Sequence, residues 1–208
     1  MKTILLALAA TTAISSAAIA GNPAPVELPA IAPVAAAVTD WSGPYVGASF
    51  SLNSGYMDYY DDGELTVYDG IEGEHYGVFA GYNMQRGAMV FGGEIAYSMG
   101  DLNWPEEYPD DIIENLLDLK ARVGFATGNV LLYGVAAYSM GHYNEDDSDF
   151  IDATGFSYGV GAEMKFGEHM FAGVEYLARD IGGAYDSDDS YEGDFLLDTI
   201  QIRAGWQF

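Results

Sequence analysis

Eight charged side chains stand inside stretches where every second residue is apolar: the acids Glu94, Asp118, Glu163 and Glu175, and the bases Lys120, Arg122, Lys165 and Arg203. Two such carboxylates held together could do general acid–base chemistry. Four acids facing four bases could equally neutralise one another. The balance of sign predicts the second outcome, an internal ion-pair network, because a selective channel tends to show rings of one sign. Glu163 and Glu175 are also what neighbouring strands present when they share an arginine. A second constellation, Ser139 and His142 beside Glu145, Asp146 and Asp147, contains the parts of a Ser-His-acid hydrolase. Serines and acids are so frequent here that coincidence accounts for it. His75 and His169 have no partner at metal-ligand spacing, and Cys is absent. The sequence therefore predicts no catalytic residue, no metal site and no cofactor.

The segments that must position these charges have a period of two, the β-strand period. One parity is apolar: Val46, Ala48, Phe50 and Leu52; Tyr76, Val78, Ala80 and Tyr82; Met89, Phe91, Ile95 and Tyr97; Leu117, Leu119, Ala121, Val123 and Phe125. The pattern continues through Phe156 to Phe166, through Met170, Ala172, Val174 and Tyr176, and ends with Ile200, Ile202, Ala204, Trp206 and Phe208. The fifth segment, Val130 to Ser139, is apolar at both parities, so its inward face is undecided. The charges and most glycines share the opposite parity, as in Gly77-x-Phe79-x-Gly81, Gly159-x-Gly161-x-Glu163 and Gln201-x-Arg203-x-Gly205. A Lys or Arg facing lipid at the midplane would cost about 2–4 kcal/mol. None of these charges shares a face with the apolar stripe, so all can point inward while the apolar residues point out.

Tight turns at Gln85-Arg86-Gly87, Thr127-Gly128-Asn129 and Gly167-Glu168-His169 alternate with long segments at 53–74, 99–115, 141–154 and 180–198. Short turns at one end and long loops at the other are the pattern of an all-β, eight-stranded antiparallel up-and-down transmembrane β-barrel. A barrel of this size is filled by its own side chains. The long segments hold 25 of the 32 acids and no Lys or Arg, which predicts a solvated, self-repelling surface. Divalent cations could gather loosely there and bridge to lipid phosphates, although no segment has EF-hand spacing.

The 208-residue chain carries a formal charge of -25, which excludes nucleic acid as a partner. Residues 1–20 have a lysine, an apolar run and the small residues Ala18-Ile19-Ala20, the order of a secretory signal peptide. Residues 21–40 form a Pro/Ala-rich tail expected in the periplasm, and 41–208 the barrel. An exported barrel with these features is expected in the outer membrane of a Gram-negative cell.

Trp41-Ser-Gly-Pro-Tyr45-Val-Gly47, Gly77-Val-Phe-Ala-Gly81-Tyr-Asn, Gly159-Val-Gly161-Ala-Glu163 and Val174-Glu175-Tyr176 together resemble the porin-like outer-membrane proteins of alphaproteobacteria, relatives of the OmpA and OmpX barrels and the opacity-type adhesins. The resemblance covers about residues 41–208. It implies that Ile202, Ala204, Trp206 and Phe208 form the C-terminal signal read by the barrel-assembly machinery, and that, unlike full-length OmpA proteins, no peptidoglycan-binding domain follows. The expectation is a monomeric, non-catalytic surface protein with a structural role: membrane integrity and display of acidic extracellular loops. The rivals are a small-solute porin, a lipid-modifying enzyme and a soluble ligand-binding barrel.

Overall fold

The computed structural model describes residues 39–61, 64–104, 108–145, 149–184 and 191–208. The expected signal peptide and most of the expected tail lie outside these residues. Eight strands follow in chain order: β1 Gly43–Asp61, β2 Glu64–Arg86, β3 Met89–Trp104, β4 Tyr108–Thr127, β5 Val130–Glu145, β6 Asp149–Phe166, β7 Met170–Ala184 and β8 Tyr191–Gln207. Each pairs antiparallel with the next, and β8 returns to β1, closing the barrel. The three tight turns put Gly87, Gly128 and Gly167 at φ of 62°, 57° and 73°, a left-handed conformation that a Cβ disfavours.

The register fixes the geometry. Stepping from Tyr45 through Gly81, Glu94, Lys120, Ala137, Ser157, Arg179 and Leu197 leads back to β1 at Gly55. The path returns ten residues further along the strand from which it started. With ordinary strand spacings, that stagger on eight strands tilts them by about 41° and sets a radius of about 8 Å. So narrow a cylinder leaves room for side chains only. Even so, glycines are needed opposite the larger inward rings. A Cβ on Gly81 would collide with Tyr45, one on Gly161 with Tyr133, and one on Gly47 with Phe79.

Outside, an apolar band circles the cylinder. Phe156 is 75 % exposed, Ile200 62 % and Val78 61 %. Trp206, Phe208, Phe125, Phe166 and Tyr82 mark its turn end. Tyr76, Tyr97, Tyr138, Tyr158 and Tyr176 mark the other end. Two aromatic girdles around an apolar belt suit hydrocarbon between two polar interfaces. The undecided fifth strand resolves with Leu131, Tyr133, Val135, Ala137 and Ser139 inward and Leu132 and Tyr138 outward.

The segments expected as long loops are instead mostly strand. β2 alone runs 23 residues, where about 9–11 cross a bilayer. Beyond the tyrosine girdle the apolar residues change sides. On β8 Ile200 and Ile202 face out, whereas Leu197 and Phe195 are buried inside. On β2 Tyr76 and Val78 face out and Ile71 faces in. Met57, Ile71, Leu102, Leu116, Ala153, Ile181, Phe195 and Leu197 form one inward cluster at this outer end. The acids Glu72, Glu74, Asp101, Asp152, Asp180 and Asp198 are exposed around it. Water has replaced lipid as the outer solvent there, and the preferred face for an apolar side chain inverts accordingly.

Candidate functional site

Inward parity brings the charges together in the middle of the cylinder. Arg203 on β8 is the hub. Its Nη1 donates to Glu94 Oε1 at 3.2 Å and to Glu175 Oε2 at 2.9 Å, its Nη2 donates to Glu94 Oε2, and its Nε lies 3.0 Å from Glu163 Oε1. Arg122 grips Glu163 with both terminal nitrogens, at 3.1 and 2.6 Å, the fork geometry that suits a carboxylate. Lys120 Nζ is 2.7 Å from Glu175 and 3.5 Å from Glu94. These side chains are at most 3 % exposed.

Aromatic groups complete the first cluster. The Tyr45 hydroxyl donates to Glu94 at 2.9 Å and that of Tyr133 to Glu175 at 2.7 Å. The Arg122 guanidinium lies 4.1 Å from the Tyr133 ring centre, and that of Arg203 4.1 Å from Phe79. Each of the two arginines thus meets both carboxylates and a ring face, which offsets the cost of stripping it of water.

A second, smaller cluster sits toward the outer end. Arg179 Nη2 donates to Asp118 Oδ2 at 2.8 Å, and Ser139 Oγ donates to Asp118 Oδ1 at 2.6 Å. Arg179 also donates to Thr199, which donates to Asn53 at 2.7 Å. Lys120 Nζ, 4.0 Å from Asp118, links the two clusters.

Seven of the eight charges expected in the lumen network meet there, and one does not. Lys165 has the inward parity, but two residues beyond Glu163 it has reached the mouth at the tight-turn end. Its ammonium sits 5.2 Å from the Trp41 ring centre and donates to the carbonyls of Asp40 and Glu168. Arg179 takes its place, so four acids and four bases still balance. The signal for Arg179 was its parity with Glu175 on β7. Its position at the edge of an acidic segment hid it. The hydroxyls of Tyr45 and Tyr133 carried no signal of their own, since inward tyrosines look like filler until their height is known.

The hydrolase constellation comes apart. Ser139 is buried inside, bonded to Asp118, whereas the residue three positions on faces out: His142 Nδ1 is 2.7 Å from Asp152 at the outer rim. His169 stacks on Trp206 with ring centres 5.0 Å apart, and its Nδ1 lies 2.9 Å from the Gln207 carbonyl. His75 is fully buried. Among the described residues no three His, Cys, Asp or Glu converge on a cation site.

Apolar side chains close both ends of the charged zone. At the tight-turn end Trp41, Val90, Ala126, Leu131 and Phe171 pack with Tyr45 and Phe79. The backbone N–H of Trp41 donates to Gln85 Oε1 at 2.6 Å, seating the indole in the mouth. At the outer end stands the inward cluster around Phe195. Ile202, Trp206 and Phe208 are 59 %, 45 % and 68 % exposed on the lipid face. The Phe208 N–H donates to the Pro44 carbonyl at 3.0 Å, tying β8 to β1.

The chain is 29 % identical over 179 residues to a 22 kDa outer membrane protein of Rhizobium leguminosarum bv. viciae, covering 81 % of this chain and 78 % of that one. It is 26 % identical over 220 residues to a 25 kDa outer-membrane immunogenic protein of Brucella ovis, covering 100 % and 98 %. Among solved structures, Ail, the attachment invasion locus protein of Yersinia pestis, aligns over 80 % of this chain and 99 % of its own, with a TM-score of 0.44 and 16 % identity. Residues 6–208 match the family described as outer membrane protein beta-barrel domain. The chain therefore belongs to that family and is an outer-membrane β-barrel protein.

Proposed function

We propose that this barrel is a closed, non-catalytic structural protein that reinforces the outer membrane and displays acidic hairpins beyond it. The observation that carries this reading is the lumen: a neutral ion-pair network under 6 % exposed, with packed apolar layers above and below it. A permeating ion would have to enter an apolar layer and then break charge pairs whose partners have no other solvent. The same locking argues against the network as an acid–base catalyst, since its carboxylates are buried and paired. The separation of Ser139 from His142 argues against the hydrolase alternative. Its partners are outer-membrane lipid along the apolar belt and the assembly machinery at Ile202, Ala204, Trp206 and Phe208. Divalent cations would gather only diffusely at the outer acids, and the working unit is a monomer. Purified protein added to a planar lipid bilayer should give no stepwise conductance. Discrete, voltage-independent steps would overturn the closed reading in favour of a small-solute porin.

A further inference from the structure

The segment that precedes β1 sits in the mouth at the tight-turn end, and three strands grip it by its main chain and one hydroxyl. Gln85 Oε1 on β2 accepts from the Trp41 N–H at 2.6 Å, and the Gln85 backbone N–H donates to Ser42 Oγ at 3.1 Å. The Gln207 side-chain amide on β8 donates to the Ser42 carbonyl, and the Lys165 ammonium on β6 donates to the Asp40 carbonyl. The indole of Trp41 is 1 % exposed. The Phe171 ring meets it edge-on with centres 6.4 Å apart, and the Lys165 ammonium lies 5.2 Å from its ring centre. Its Nε1–H, however, has no acceptor among the described residues, and a buried donor left without a partner is costly. The seat thus suits a flat ring but not the polar atom that this ring carries. Directly after the segment comes Gly43, at a φ of 121° that a Cβ disfavours.

We infer that the tight-turn mouth is a binding seat for a flat aromatic ring, and that Trp41 is its built-in, releasable occupant. Residues 40–42 swing on Gly43, and Lys165 is the latch. A hinge needs only a residue at the end of an element that absorbs the backbone change, and Gly43 opens β1. Release returns the indole N–H to water and exchanges the hydrogen bonds of the rim for bonds to water. It uncovers a vestibule lined by Val90, Leu131 and Phe171 and floored by Tyr45, whose hydroxyl meets Glu94. A ring from another molecule then takes the same place, against Phe171 and beside the Lys165 ammonium. The ion pairs above stay closed, so a binding function is added at one end of a barrel that does not conduct.

The chain has no cysteine, so one introduced thiol reports access cleanly. Val90→Cys places it in the vestibule, and Ala153→Cys places a control in the outer apolar cluster. The folded full-length barrel in nanodiscs is treated with a small charged methanethiosulfonate reagent, and the folding of every variant is checked by heat-modifiable gel migration. Trp41→Ala and Lys165→Met should each speed modification of the Val90→Cys reporter at least tenfold while the Ala153→Cys control keeps its rate. Added indole should slow the reporter in the Trp41→Ala barrel at least fivefold. Unchanged reporter rates in both variants would make Trp41 an ordinary core residue and overturn the proposal. So would equal acceleration of the outer control, which marks general loosening, or indifference to indole, which leaves no seat. Conductance steps in a planar bilayer bear on none of these outcomes, so the closed lumen and the releasable seat stand or fall separately.

Discussion

The carboxylates of the lumen and those of the outer hairpins are the same chemical group in opposite circumstances. Inside, Glu94, Glu163, Glu175 and Asp118 each touch at least one cation within 3.1 Å and are at most 5 % exposed. Outside, Glu72, Glu74, Asp101, Asp180 and Asp198 are exposed to water, and none of them is in an ion pair among the described residues. The lumen converts charge into fixed geometry, because burial makes any unpaired member costly. The outer hairpins convert it into repulsion and solvation, which hold no particular shape. The difference teaches that counting charges says little about their role; the solvent around each one decides whether it stabilises.

Removing a charge should therefore have opposite signs in the two regions. The largest effect is expected for Arg203→Met. It leaves Glu94, Glu163 and Glu175 converging on a gap, and breaking a buried pair from one side costs about 3–5 kcal/mol. Urea unfolding of the variant in lipid vesicles should show a midpoint well below that of the parent. A loss under about 1 kcal/mol would mean that water reaches the lumen and screens its charges, and the contrast with the outer acids would dissolve.

Much of this was legible in the sequence, and the reason is physical. Lipid demands an apolar outer face, so a period of two marks both the strands and their orientation wherever hydrocarbon surrounds them. Parity puts Glu94, Lys120, Arg122 and Arg203 on the face opposite the apolar stripe, and the export signal, the alternating loop lengths and the aromatics at the turn end make that face the inner one. Parity says nothing of height along the cylinder, and this is why Lys165 was expected in the network and lies instead at the mouth. The fifth strand was ambiguous because Leu131, Tyr133 and Val135 pack inside while Leu132 faces lipid, and both surroundings favour apolar residues. The outer strand extensions look like loops in the sequence because the apolar phase flips at the tyrosine girdle. Ile200 and Leu197 are both correct for their own solvent, yet together they break the alternation that marks a strand.

Glu74→Gln sharpens the same contrast from the other side. Glu74 lies directly opposite Asp101 on β3, and both face out. Like charges facing across a strand pair are destabilising, so neutralising one should stabilise the barrel by about 0.2–1 kcal/mol. The gain should shrink as salt is raised, since exposed charges are screened. Urea midpoints measured at low and high salt would check both the sign and the trend. A destabilisation at either salt concentration would place an uncounted favourable partner beside Glu74.

Asp40 is a third case, a carboxylate held by neither a cation nor water alone. It precedes β1, and the Ser42 backbone N–H donates to its Oδ1 at 2.8 Å. That bond, with a second from the Ser42 side chain, holds its carboxyl below the usual carboxylate range. A group whose folded pKa is depressed contributes stability above its unfolded pKa and loses it as pH falls through the folded value. The contribution of Asp40 should thus be complete at neutral pH and fade below about pH 4. Asp40→Asn can still accept from the Ser42 N–H, but its amide does not titrate. The expected outcome is the smallest of the set: a slightly lower urea midpoint at pH 7, with the gap to the parent narrowing as pH falls below about 4. A separation that does not narrow as pH falls would show that Asp40 acts through its shape and not its charge.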